Sequence, residues 1–254
     1  MQSEQVLSLR DQIDQLEEES SEQLNYFCVL SGTSKSNGLE NFYKLGGSGA
    51  KPLWLNTPYA DWEEVMPYLV NIESDSPFLD WLEEEQPVFP DWGLLVASSF
   101  GFDEVFSHFE SLTKVFMPSG KEVFFRYWDA PQVMPIYQLS GAESVADLLG
   151  PISELISANG TISNPQTPHL VGESYPWWQL SQQVQSKLFE ANSATLEANL
   201  LQQLSNRNPI LFEAYPSEIL KRKVQRLIRL DQLQASITSY AGIETYLQKE
   251  LKNV

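Results

Sequence analysis

The chain carries two histidines, His108 and His169, and one cysteine, Cys28. A zinc site takes three or four ligands from Cys, His and carboxylates, and these residues are too few and too scattered for a signature. A Ser-His-Asp triad would have to recruit one of the two histidines. His108 falls mid-helix beside Phe109, and His169 follows Pro168 in a Pro/Gly-rich stretch. Gly46-Gly47-Ser48-Gly49-Ala50 approaches a nucleophile elbow but lacks the closing glycine of Gly-x-Ser-x-Gly. It also fails as a phosphate loop, because Lys51 is followed by Pro52 instead of Ser or Thr. Acids are plentiful, so a glycosidase-like carboxylate pair is open in principle. No spacing selects one pair, and Glu17-Glu18-Glu19 and Glu83-Glu84-Glu85 read as solvated helix faces. No cofactor is implied.

One charge stands among aromatics. In Val123-Phe124-Phe125-Arg126-Tyr127-Trp128-Asp129-Ala130-Pro131 the composition predicts a strand over 122–128. Alternation puts Val123, Phe125 and Tyr127 on one face and Phe124, Arg126 and Trp128 on the other. A guanidinium in such company must be neutralised. Arg126 is therefore read as a structural clasp, to Asp129 or to an acid from the preceding loops, with a ligand-binding arginine as the alternative.

Apolar positions Val6, Leu9, Ile13 and Leu16 predict a helix over 2–20 that docks on the body of the protein, with a partner-binding helix as the alternative. Strands are expected at 24–30, 65–72 and 92–98, with Pro67 at an edge or a strand start. A short helix over 38–45 turns Leu39, Phe42, Tyr43 and Leu45 inward and stops at Gly46-Gly47. Ser76 and Pro77 start a helix as N-cap and first residue, with Phe78, Trp81 and Leu82 inward. Strand, helix and strand over 65–98 predict a crossover joining a parallel pair. Asp103 is the expected N-cap of a helix to 112, and a hairpin follows around Pro118-Ser119-Gly120. Short helices are expected at 131–139 and 143–149, and a short strand or turn at 152–156. Pro and Gly mark 159–176 as a linker. Helices are then expected at 178–190, 194–205, 216–233 and 243–251.

The fold class is α/β (α+β): a mixed-sheet N-terminal lobe and a smaller all-α C-terminal lobe. The expected parts are an N-terminal helix (1–21), the α/β lobe (22–158), the linker (159–176) and the helical lobe (177–254).

Of 254 residues, 42% are hydrophobic, enough for a packed core. No apolar run reaches the length of a membrane span, and the polar, acidic start is unlike a secretory signal. Lone Cys28 in an apolar run reads as a buried thiol in a reducing compartment. Residues 1–170 hold 7 Lys+Arg against 26 Asp+Glu, whereas 171–254 hold 9 against 8. The acidic part repels nucleic-acid phosphates and suits a basic protein partner.

The C-terminal part has one basic face. Arg222, Arg226 and Arg229 recur at i, i+4 and i+7 on a helix, next to Lys221 and Lys223. Leu220, Val224, Leu227 and Ile228 form another face. The basic face either docks on the acidic first lobe or meets water, or it holds an acidic surface of a partner protein; nucleic acid is the least favoured occupant.

Five stretches occur in order: Pro67-Tyr68-Leu69-Val70; Asp75-Ser76-Pro77-Phe78-Leu79-Asp80-Trp81-Leu82; Trp92-Gly93-Leu94-Leu95-Val96; Phe125-Arg126-Tyr127-Trp128-Asp129; and Leu149-Gly150-Pro151-Ile152. The series, over about 24–156, resembles the type VI secretion adaptor family, the effector chaperones called Tap or TEC. Pro77, Phe78, Trp81, Trp92, Arg126 and Asp129 carry it. Family members often have proline directly after the Asp of Phe-Arg-x-x-Asp; here Ala130 intervenes before Pro131. The resemblance implies a bacterial cytoplasmic adaptor without catalytic activity. Such a protein would hold a secreted effector and pass it to the VgrG or PAAR-tipped spike, with no nucleic acid or membrane partner. Arg222, Lys223, Arg226 and Arg229 are the expected partner-binding residues. An acidic immunity protein that blocks a toxin and a carboxylate-based enzyme are the alternatives.

Overall fold

The computed structural model describes residues 8–172, 174–234 and 240–251. The chain divides into two units, 1–184 and 185–254.

The first unit is built on a six-stranded sheet in the order β2-β3-β1-β4-β7-β8. Its strands are β1 (Asn25–Leu30), β2 (Lys51–Pro52), β3 (Tyr68–Ile72), β4 (Gly93–Ser98), β7 (Glu154–Ser157) and β8 (Gly160–Ser163). β1 and β4 are apolar, and all of β4 and five of the six residues of β1 are buried, as expected of strands covered on both faces. β1 lies centrally, with Val29 opposite Leu69 of β3 and Leu94 of β4.

All ladders in this sheet are antiparallel. The parallel pair expected from strand, helix and strand over 65–98 is therefore not formed. β3 and β4 run the same way, but β1 is inserted between them and hydrogen-bonds to both. The helix between them, α3 (Pro77–Glu85), connects strands that are not neighbours. Local pattern reveals a connection's ends but not a third strand arriving from earlier in the chain.

Gly93 shows why Trp92-Gly93 opens β4. Its φ is +141°, and a Cβ there would lie 1.9 Å from the Val29 carbonyl oxygen. Only glycine lets the two strands approach this closely.

The N-terminal helix α1 (Leu9–Glu19) starts with a capping box between Ser8 and Asp11. It docks as expected: Leu9 and Ile13 join the core with Phe42, Phe78, Leu79 and Leu82, and Leu16 packs beside them. Arg10 fastens it by a two-pronged pair to Asp80 at 2.7 and 2.9 Å, with further bonds to the Ser74 and Ser76 carbonyls. The expected helix began at residue 2; Val6 lies outside the described residues.

The helix α2 (Gly38–Lys44) buries Phe42, but Tyr43 and Leu45 are exposed rather than inward. Pro67 immediately precedes β3, so the proline marks the strand's start and Val65 lies outside it. The helix α4 (Phe102–Ser111) is capped at Gly101; Asp103, expected as the cap, sits in the first turn, 3.6 Å from Lys51.

A separate two-stranded hairpin pairs β5 (Lys114–Phe116) with β6 (Glu122–Phe124). The strand expected through residue 128 ends at Phe124. Residues 125–128 turn inward, burying Phe125, Tyr127 and Trp128, while Arg126 stays half exposed. The chain enters α5 (Ala130–Leu139) and α6 (Ala142–Leu149) directly after Asp129.

The stretch 159–176, expected as a linker, contains β8 on the sheet edge. Trp178, Leu180 and Val184 are buried. The Trp178 ring stacks on Phe125 at 5.9 Å, and Phe116 exchanges backbone bonds with Trp178 and Leu180.

The second unit is helical. One helix, α7 (Gln182–Arg207), replaces the two expected at 178–190 and 194–205, and the division between units falls within it. A short α8 (Pro209–Glu213), α9 (Ser217–Gln234) and α10 (Tyr240–Leu251) follow. Leu200, Leu204, Leu211, Leu220, Val224 and Leu247 are among the residues that close its core. Among the described residues no helix is long and apolar enough to cross a membrane.

Candidate protein-binding surfaces

The motif residues of the first unit make internal contacts. Ser76 caps α3 by accepting from the Phe78 N–H at 3.3 Å, and Pro77 takes the first turn. Phe78 stacks on Trp81 at 5.1 Å and meets Phe42 edge-on at 5.3 Å. Trp92 is fully buried, and its carbonyl accepts from Ser31. Arg126 Nη2 lies 2.8 Å from Asp129 Oδ2. Burial still holds the Asp129 carboxyl above its ordinary range, with Arg126 pulling the other way.

The two histidines come together, but not as a site. His108 is buried and bonds through Nε2 to the Leu148 carbonyl at 2.8 Å. His169 reaches the same corner by its backbone, donating to Gly150. Burial lowers the His108 pKa to about 4, so the ring is neutral. Cys28 is enclosed in β1, and burial pushes its thiol pKa far up, which suits a packing thiol. Ser48 is on an exposed loop. Among the described residues no group of three or more His, Cys, Asp or Glu is placed to hold a metal ion. A cleft of about 930 Å³ is lined by α1, β7 and β8, with Glu154 at its wall. Burial raises the Glu154 pKa. The other acids with displaced pKa values, Asp80, Asp129 and Glu250, are not among the residues lining this cleft.

The basic residues of α9 differ in their surroundings. Leu220, Val224, Leu227 and Ile228 are buried. Lys221 and Lys223 turn to acids of the same unit, 3.8 Å from Glu197 and 2.5 Å from Glu250. Lys223 also lies over the Tyr215 ring. Arg222 and Arg226 are exposed, and Ile219, one turn before Arg222, is exposed with them. Arg229 lies in α9 with its side chain outside the described residues.

Sequence reasoning missed a second surface. Trp54, Tyr59 and Trp62, on a loop, meet Phe124 and Trp128. Tyr59 is 4.6 Å and Trp62 5.3 Å from Phe124, centroid to centroid. Trp54 and Trp128 are buried beneath, whereas Trp62 is 48% and Phe124 36% exposed. The available signal was three aromatics within nine residues of a loop that no strand or helix pattern explained.

Residues 26–146 match the model of a family described as a domain of unknown function, DUF4123. The matched stretch, just under half of the chain, is similar to that domain. DUF4123 is known as the domain of the type VI secretion adaptor family, Tap or TEC, the family that the motif series resembles. The matched stretch begins in β1 and ends in α6. It contains the aromatic surface and the Arg126–Asp129 pair. The strands β7 and β8 and the basic helix lie beyond it. No curated protein and no solved structure matched the chain.

Proposed function

We propose that this protein is a non-catalytic adaptor of a bacterial type VI secretion system. It binds a secreted effector in the cytoplasm and loads it onto the VgrG or PAAR spike. The DUF4123 match over residues 26–146 carries this reading. The scaffold role of the motif side chains, and the exposed apolar and basic side chains on both units, support it: binding proteins keep such surface for a partner. Arg222 and Arg226, with Arg229 on the same helix, contribute to effector contact, whereas Lys223 mainly holds α10 to α9.

Deleting the gene should abolish release of the effector encoded beside it without changing that effector's activity in vitro. Unchanged release would end the adaptor reading. The net charge of −18 also suits an acidic blocker of a basic toxin. That reading requires loss of toxin activity on mixing the purified proteins.

A further inference from the structure

We propose that the rings of Trp62, Phe124 and Tyr59 dock a segment of a partner protein that places a large apolar side chain on the rings with Arg or Lys beside it. The proposal rests on the adaptor reading for the partner's identity, but its geometry stands on the first unit alone.

The surface is exposed where a core would not be. Trp62 and Phe124, and Leu55 of the same loop as Trp62, present apolar area to water, and leaving it uncovered is unfavourable. The surface is also rigid. Trp62 lies 6.3 Å from buried Trp54, and Trp54 meets buried Trp128 edge-on at 5.3 Å. Thr57 locks the loop by donating to the Trp54 carbonyl at 2.9 Å, and Leu53 bonds to Pro67. Aromatic side chains already fixed in place lose little freedom on binding, so contact converts efficiently into affinity.

Charge selects the occupant. Trp62 is flanked in the chain by exposed Asp61, Glu63 and Glu64. Glu122 shares a face of β6 with Phe124. Lys114 shows what the rings accept: its ammonium lies 5.2 Å from the Tyr59 centroid and 5.5 Å from that of Phe124, and 3.7 Å from Glu122. The exposed acids on either side of Trp62 in the chain supply counter-charge for a partner cation beside the rings. Phosphate-bearing partners are repelled by the same rim.

The test pans a phage-displayed library of random 12-residue peptides on the full chain, then measures affinity for a synthetic peptide of the enriched sequence. The expected result is enrichment of Leu, Phe or Trp next to Arg or Lys. Binding should weaken about tenfold or more with Trp62→Ala. The surface variant Glu63→Lys/Glu64→Lys, which leaves the rings in place, should weaken it in the same direction and decides the matter should Trp62→Ala fail to fold. No consensus, an acidic consensus, or binding indifferent to the variants overturns the proposal. Effector and spike capture, scored on the same proteins, separates the two readings. Capture by the wild type that persists in both variants removes this surface and leaves the adaptor. No capture by the wild type removes the adaptor, and the peptide result still decides the surface.

Discussion

His108 and Gly150 are packed so tightly that a Cβ on Gly150 would lie 2.6 Å from His108 Nδ1. Nε2 bonds the Leu148 carbonyl, so it carries the proton, and Nδ1 is buried with no hydrogen-bond partner among the described residues. Protonating Nδ1 would place a charged N–H against the backbone. That burial, only partly opposed by the Leu148 bond, holds the pKa at about 4 rather than 6.5.

A pH dependence follows. The unfolded chain takes up a proton at His108 near pH 6.5, and the folded chain does so only near 4. The stabilising contribution is full above 6.5 and is lost as pH falls toward 4, up to about 3 kcal/mol. Urea unfolding of wild type and His108→Gln at pH 7 and pH 4.5 should show a steeper loss in the wild type. Equal slopes would mean the ring is not held neutral.

Gly150→Ala meets two obstacles at once. Its φ of +54° disfavours a side chain, and the added methyl would displace the His108 ring. The expected cost is about 2–4 kcal/mol. A melting temperature within 2–3 °C of wild type, as a change of well under 1 kcal/mol would give, would contradict the packing.

Removing the guanidinium from the Arg126–Asp129 pair leaves a carboxylate with 9% exposed side chain uncompensated. Because Arg126 is half exposed and screened by water, Arg126→Ala should cost about 1–2 kcal/mol, less than a fully buried pair. Asp129→Asn in that background should recover part of the loss. Simple additivity of the two substitutions would show that they do not act as a pair.

Tyr137 offers the opposite case. Its hydroxyl is buried in α5 with no partner among the described residues. Tyr137→Phe should be neutral or stabilise by up to about 1 kcal/mol in equilibrium unfolding. A loss greater than that would reveal a hydrogen bond the hydroxyl makes.

Reversing the exposed charges of α9, with Arg222→Glu, Arg226→Glu and Arg229→Glu, should weaken effector binding about tenfold. The first unit should keep its near-ultraviolet circular dichroism. Lys223→Glu should instead lower the melting temperature, because Lys223 pairs with Glu250 inside the second unit. Unchanged effector affinity in the triple variant would make the basic face merely solvated.

Local signals were legible where physics is local. Ser76-Pro77 gives a helix start, the stripe of Leu9 and Ile13 gives a docking helix, and Asp129 is the nearest acid to Arg126. Pairing between distant strands was not. Nothing in 65–98 announces that β1 will lie between its two strands, and nothing in the aromatic run 122–128 announces that the strand stops at Phe124 so that Trp128 can turn under Trp54. The linker reading failed because Pro and Gly report turns, and β8 is a four-residue edge strand between such turns. The basic stripe was visible by spacing; that Lys223 is spent on Glu250 depends on α10, which spacing does not position.

The most direct test of the adaptor account is a binding measurement with three purified components. The full chain, the effector and the spike subunit encoded with it are mixed and run on size-exclusion chromatography with light scattering. Co-elution of all three at the summed mass, with effector and spike eluting separately when the chain is left out, is the predicted result. The chain eluting apart from both effector and spike would contradict the account.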